Sequence, residues 1–242
     1  MLFFINGISF LISSLSECFI RYPYVKKKIV REKRQSLFWE GLKEIRSNKF
    51  LLFAAIIGGG LINLFLAPLS LYIPVYVRDY MRQSSLHFGL LTSIIPIGGI
   101  ICSVVILKKN MKINMAELVV TGFILQGIAL VLFGLSYELF YAYTALFVLG
   151  ISFTLTSIGM QTVIQRTIPE ECLGRSISSI IMIASISVPM GYLFGGLLLE
   201  YMPLNVILRV SGLIISIIGG YSYFILKDTI DFKIDHDIEK QG

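Results

Sequence analysis

The sequence predicts an all-α, polytopic membrane helix bundle of about seven transmembrane helices. Three observations predict it. Of 242 residues, 55% are hydrophobic and only 15% charged; the apolar residues gather in runs long enough to cross a bilayer; and Lys and Arg collect in alternate connections between those runs. A soluble globule of this length could not hide so much apolar surface. In hydrocarbon every backbone polar group must be bonded within its own segment or in a closed barrel, and the short alternating strands of a barrel are absent.

The apolar runs lie at 2–20, 50–77, 87–107, 116–136, 139–163, 177–199 and 206–226. The first, LFFINGISFLISSL, has the length of a signal-peptide core. Its positive charges, Arg21, Lys26, Lys27 and Lys28, follow the core rather than precede it, so it reads as a retained helix. Residues 1–20 are then an isolated transmembrane helix, 21–49 a basic cytoplasmic linker, 50–226 a six-helix transmembrane bundle and 227–242 a cytoplasmic tail. In the linker Phe38, Leu42, Ile45 and Lys49 share one helical face beside Trp39. That pattern fits an interfacial amphipathic helix on anionic lipid, and a solvated linker equally.

Eighteen of the 21 Lys and Arg fall in 21–49, 108–115, 164–176 and 227–242, against Arg78, Arg82 and Arg209 in the alternate connections. The positive-inside rule then places the N-terminus outside and the C-terminus in the cytoplasm of a multi-pass protein of the cell membrane. The net charge of +6 belongs to this topology, and no nucleic-acid partner is expected.

The six-helix block divides into two triplets. Pro96-Ile97-Gly98-Gly99 interrupts the middle helix of the first, and Pro189-Met190-Gly191 with Gly195-Gly196 interrupts that of the second. An odd number of helices per unit makes the two repeats inverted, an arrangement that transporters build around a site. Gly98, Gly99, Pro189, Gly191 and Gly195 are helix-packing candidates, since small residues let membrane helices approach closely.

Enzyme signatures are missing: no H-E-x-x-H, G-x-S-x-G or Walker loop occurs, and no cofactor is implied. Gly58-Gly59-Gly60 lies within an apolar run, where it serves packing better than phosphate binding. His87 and His236 have no partner at metal-ligand spacing, and Cys18, Cys102 and Cys172 read as free thiols. In QRTIPEECLGRS (165–176), Thr167 and Glu170 fit a capping box with Pro169 in the first turn. Glu170 and Glu171 at a positive helix end outweigh a catalytic reading with Cys172.

Inside the membrane, Gly150, Thr154, Ser157 and Gln161 recur at helical spacing as one polar stripe, and Gly60, Asn63, Ala67, Ser70 and Pro74 form a comparable face. The stripes either line an aqueous cavity or act as interhelical glue, and both readings stand. No Asp, Glu, Lys or Arg occupies a helix centre of the block; Glu117, Glu200 and Arg209 sit near helix ends, as Glu17 does in the first helix. Ion-coupled transport usually needs such a group.

NGISFLISSLSECFIRYP (6–23), APLSLYIPVYV (67–77), FGLLTSIIPIGGIICS (88–103), QRTIPEECLGRSISS (165–179) and VPMGYLFGG (188–196) together resemble the major facilitator superfamily, in particular its drug-efflux branch with macrolide-efflux-type permeases. The resemblance runs to about residue 226. It implies twelve helices in two six-helix halves, of which this chain is similar to family helices six to twelve, with 21–49 as the central loop. A C-terminal half, from a truncated or split gene, is therefore expected, with an N-terminal transporter half as partner beside the lipid bilayer and a small-molecule substrate. The resemblance further implies a cavity between halves, with Asn63, Thr154, Ser157 and Gln161 on the substrate pathway, and a cytoplasmic gate at Arg166, Glu170, Glu171 and Arg175. KKNMKIN at 108–114 lacks the Gly-Asp-Arg character the family often repeats there, so no proton-coupling residue is carried over.

Two functions follow as expectations. The first is proton-coupled efflux of an amphipathic or drug-like molecule by alternating access, with antibiotic resistance as its setting; few charges among many apolar neighbours suit such a substrate. The alternative is a non-transporting scaffold, accessory subunit or inactive remnant. Gln126 is expected on a peripheral helix, where its loss should matter less than that of Gln161.

Overall fold

The computed structural model describes residues 2–19, 46, 49–109, 114–168 and 170–239, the side chains at 2–3, 49–50, 109, 167, 170–172 and 227–239 excepted. The basic linker and its amphipathic helix lie outside these residues, apart from Arg46 and Lys49. The chain forms two compact units, residues 1–34 and 35–242. In the first, α1 (Leu2–Cys18) has 17 residues, at the short end of what a membrane span requires.

The second unit holds α2 (Leu51–Tyr80), α3 (Ser85–Lys109), α4 (Met115–Leu135), α5 (Leu139–Thr167), α6 (Glu170–Tyr201) and α7 (Leu204–Glu239). All six are long and apolar enough to cross a membrane, and no strand occurs among the described residues. The ends follow ordinary capping chemistry. Asn114 opens α4 by accepting the Ala116 N–H at 3.1 Å, satisfying a donor the first turn cannot bond internally. Ser136 closes it, its hydroxyl donating to the Phe133 carbonyl at 2.7 Å. Arg82, in the left-handed region at φ 51°, turns the chain from α2 into α3.

Glycine seams set the helix pairing. On α4, Gly122 faces Thr156 of α5, while Gly127 faces Gly212 and Ser216 of α7 and Gly134 faces Asn205. α4 is thus held between α5 and α7, with Phe123, Leu130 and Phe133 in the core beside Leu146, Leu149, Leu208 and Ile215. The expectation of a peripheral α4 is corrected here: 61% of its apolar window is buried, against 17% for α3 and 11% for α6. Hydropathy cannot distinguish a helix enclosed by protein from one enclosed by lipid, because both solvents are apolar.

The remaining seams reveal the repeat. Gly98 and Gly99 of α3 meet Phe147, Gly150 and Thr154 of α5, whereas Gly59, Gly191 and Gly195 bring α2 and α6 together at Ile180, Leu64 and Tyr72. The first helix of each triplet therefore packs, in parallel, on the second helix of the other. The two third helices, α4 and α7, pack on each other antiparallel: Gly127 lies opposite Gly212 and Gly134 opposite Asn205. Antiparallel contact between equivalent helices is the geometry of an inverted repeat.

α2 departs from regular α-helix. Ala54–Leu61 and Tyr76–Tyr80 are π-helical, with the Ile62 N–H bonded to the Ile57 carbonyl five residues back. Between them Pro68, lacking an N–H, breaks the helix after Leu66. At the far end of α2 the Tyr76 hydroxyl donates to the Ser136 carbonyl in the α4–α5 turn, and the Tyr80 hydroxyl accepts the Leu204 N–H at 3.0 Å. Tyr76 also stacks on Tyr80 and tilts against Phe133, with centroids 5.7 and 4.5 Å away. Tyr76→Phe leaves the buried Ser136 carbonyl without that donor and is expected to cost about 1–3 kcal/mol. Tyr80 is exposed, so water can replace its hydroxyl and Tyr80→Phe should cost less. Melting curves of the detergent-solubilised protein check the order of the two.

Candidate functional site

The polar stripe of α5 divides along its length. Gly150 is pressed against the Ile95 backbone of α3, and Thr154 lies beside Gly99, its hydroxyl donating to its own Gly150 carbonyl at 3.2 Å. These two residues occupy the α3–α5 seam. Ser157 and Gln161 are exposed, and the Gln161 amide donates to the Ser157 hydroxyl at 3.1 Å. Their ridge keeps the Gln161 amide oxygen, the second amide N–H and the Ser157 O–H for anything that comes against it.

The back of the same stretch is closed. Ser152, Thr156, Gly159 and Val163 recur on the opposite side of the helical wheel. An added Cβ at Gly159 would stand 2.8 Å from the Met115 carbonyl of α4, so the backbones nearly touch there. Gln126 of α4, only 2% exposed, donates from Nε2 to Thr156 Oγ1 at 3.2 Å, and Thr156 donates onward to the Ser152 carbonyl at 3.0 Å. Sequence reading passed over this contact. A lone Gln in an apolar run is a signal of a buried interhelical bond, but the run does not name the partner.

Asn63 is half-buried on α2. Its Nδ2 donates to the Gly58 and Gly59 carbonyls at 3.2 and 3.0 Å, groups whose usual helical partners are displaced by the π-helical register. The side chain thus helps stabilise the irregular segment and keeps Oδ1 for a further donor. Ser70, exposed on the same helix, donates to the Tyr192 hydroxyl of α6 at 3.0 Å. Gly191 and Gly195 sit on either side of Tyr192, and a Cβ at either would stand 2.7 Å from the Leu64 carbonyl or the Tyr72 hydroxyl respectively. Pro189 lies one turn earlier, inside α6.

Arg166 at the end of α5 and Arg175 near the start of α6 are both exposed. The side chains of Glu170 and Glu171, named with them as a gate, lie outside the described ones, as do the capping contact of Thr167 and the Cys172 thiol. Cys18 is exposed and Cys102 buried, both unbridged. Among the described residues no cluster of three His, Cys, Asp or Glu lies close enough to hold a metal ion.

Six apolar spans in an inverted repeat carry an open polar ridge on α5. The family model of the Major Facilitator Superfamily matches residues 1–192. The chain belongs to that superfamily. The match covers α1 to most of α6, including the α3–α5 seam, the α2–α6 seam as far as Gly191 and the whole α5 stripe. No curated protein matches the chain. As a major facilitator it is a multi-pass membrane protein of a transporter family, its helices set in a lipid bilayer.

Proposed function

We propose that this major facilitator carries one side of the path for an amphipathic or drug-like small molecule, exported across the cell membrane by alternating access. The observation that carries the reading is the exposed, hydrogen-bonded Ser157–Gln161 ridge within an otherwise apolar span. Hydrogen-bonding groups on an apolar wall suit a substrate that is itself mostly apolar with a few polar atoms. Asn63 extends the path on α2, and Thr154 enters it only if the α3–α5 seam opens.

A second bundle, in the same or a separate polypeptide, completes the path in this reading. The low burial of α3 and α6 supports it, since both leave long faces for such a partner. Arg166, Glu170, Glu171 and Arg175 then close a gate against that partner on the cytoplasmic side, with the N-terminus outside and the tail inside. Gly98, Gly99, Gly191 and Gly195 hold the two seams while the bundle moves as a body, and Pro189 bends α6 around them. Proton coupling falls to residues of the second bundle, because no ionisable side chain lies at a helix centre of this one.

That same lack of an internal ionisable group favours a second reading, a scaffold or accessory subunit that moves no solute. One assay decides between them. Inverted vesicles containing this chain together with its complementary half are expected to accumulate fluorescent amphipathic cations or neutral macrolide-like probes when energised. Accumulation equal to that of empty vesicles across the probe set would falsify the transport reading.

A further inference from the structure

We infer that Gln126 is a positioning residue: its bond to Thr156 fixes the rotation of α5 and so sets the direction in which Ser157 and Gln161 face. The bond is made at 3.2 Å from a side chain 2% exposed, deep between α4, α5 and α7. Thr156 is one residue before Ser157, about 100° around the helix, and Gln161 lies one turn beyond Ser157 on the same side. A hold on Thr156 is therefore a hold on the ridge.

The surrounding contacts make the hold directional. Gly122 of α4 accepts the Thr156 side chain, and Gly159 of α5 accepts Leu118 and Val119 of α4. These are smooth glycine contacts, which permit close approach but present few side-chain edges to resist a twist about the helix axis. The Gln126–Thr156 bond reaches from α4 to α5, whereas Thr144, Ser152, Thr154, Thr156 and Thr162 donate to carbonyls of α5 itself, and Gln161 to Ser157. On α4's other side the comparable bond is longer, Ser216 to the Ile124 carbonyl at 3.5 Å.

Positioning and stability are separable here. With leucine at 126, the Thr156 hydroxyl keeps its bond to the Ser152 carbonyl, so no buried donor is left unmet. The amide itself is incompletely satisfied, its Oε1 accepting no bond among the described residues. Gln126→Leu should therefore leave the amount of folded protein unchanged while releasing the rotation of α5.

The functional consequence rests on the reading of Ser157 and Gln161 as path residues, but the test does not need transport. In this chain with Cys18, Cys102 and Cys172 replaced by serine, a single reporter Ser157→Cys is labelled in membranes with a small charged methanethiosulfonate. Gln126→Leu and Thr156→Val are each expected to change its labelling rate about fivefold or more, and Thr156→Ser to leave it at the parent rate. A reporter at the exposed α4–α5 turn, Tyr137→Cys, should be unaffected. Should Gln126→Leu fail to accumulate, the Thr156→Val and Thr156→Ser pair decides alone. Unchanged labelling at 157 overturns the inference, and so does a change at 137 of equal size, which would mean general loosening. Failure of the efflux assay with labelling shifted as expected would strike the transport reading and leave the positioning role standing.

Discussion

Gly150→Ala is expected to destabilise this protein sharply, while Gly196→Ala stabilises it slightly. In an open helical position alanine is favoured over glycine by about 1 kcal/mol, because glycine has more backbone freedom to lose. Gly196 has nothing within 4 Å of an added Cβ, so only that gain operates there. At Gly150 the same atom would stand 2.8 Å from the Ile95 carbonyl carbon and 3.0 Å from its Cα. Those are backbone atoms of a packed helix, and no rotamer change moves them. Helices α3 and α5 must separate, giving up the contact of Gly98 with the Phe147 carbonyl and of Gly99 with Thr154 in the same seam. Overpacking a core costs about 1–3 kcal/mol where side chains can yield, and a backbone collision belongs at or above that range. Size-exclusion profiles and melting of the detergent-extracted variants give the two signs directly. Equal behaviour of the two would mean that the α3–α5 seam is not a close contact in the membrane.

Gly150 also marks where sequence reading stops. The spans were legible because the cost of burying polar backbone and charge in hydrocarbon is written in the order of residues: 116–136 was expected for the helix found at Met115–Leu135, and 87–107 for that at Ser85–Lys109. α6 and α7 extend beyond the expected spans, to Glu170 and Glu239, because a helix does not end where the bilayer does. The face that each small residue presents was another matter. Gly150, Thr154, Ser157 and Gln161 share one stripe by spacing, yet α3 covers the first two and leaves the last two open. Helix pairing is a non-local property and leaves no mark in a period of 3.6 residues. Gln126 was misplaced for the same reason. The repeat fared better, since Pro-x-Gly signals in both middle helices coincide with the seams that the pairing uses.

The division of the stripe yields the second large effect. With the complementary half present, Gln161→Leu is expected to lower the transport rate of an amphipathic probe by ~10-fold or more, the equivalent of about 1.4 kcal/mol. Thr154→Val should change it little. The side chain of Gln161 is exposed and its one described partner is the exposed Ser157, so the leucine variant leaves no buried group unmet and the folded amount should hold. What it loses is the amide that donates to the Ser157 hydroxyl and that, in the proposed path, offers its oxygen to the solute. Thr154 is built differently. Its hydroxyl is turned back on the Gly150 carbonyl beneath Gly99, and valine keeps its shape in the seam. Ser157→Ala should fall between the two, since Gln161 stays but loses its acceptor. Initial rates in energised vesicles, normalised to protein inserted, give the comparison. A stripe acting as one continuous path would make Thr154→Val as damaging as Gln161→Leu. A stripe acting only as glue would spare transport in the Gln161 variant and spoil folding in the Thr154 one.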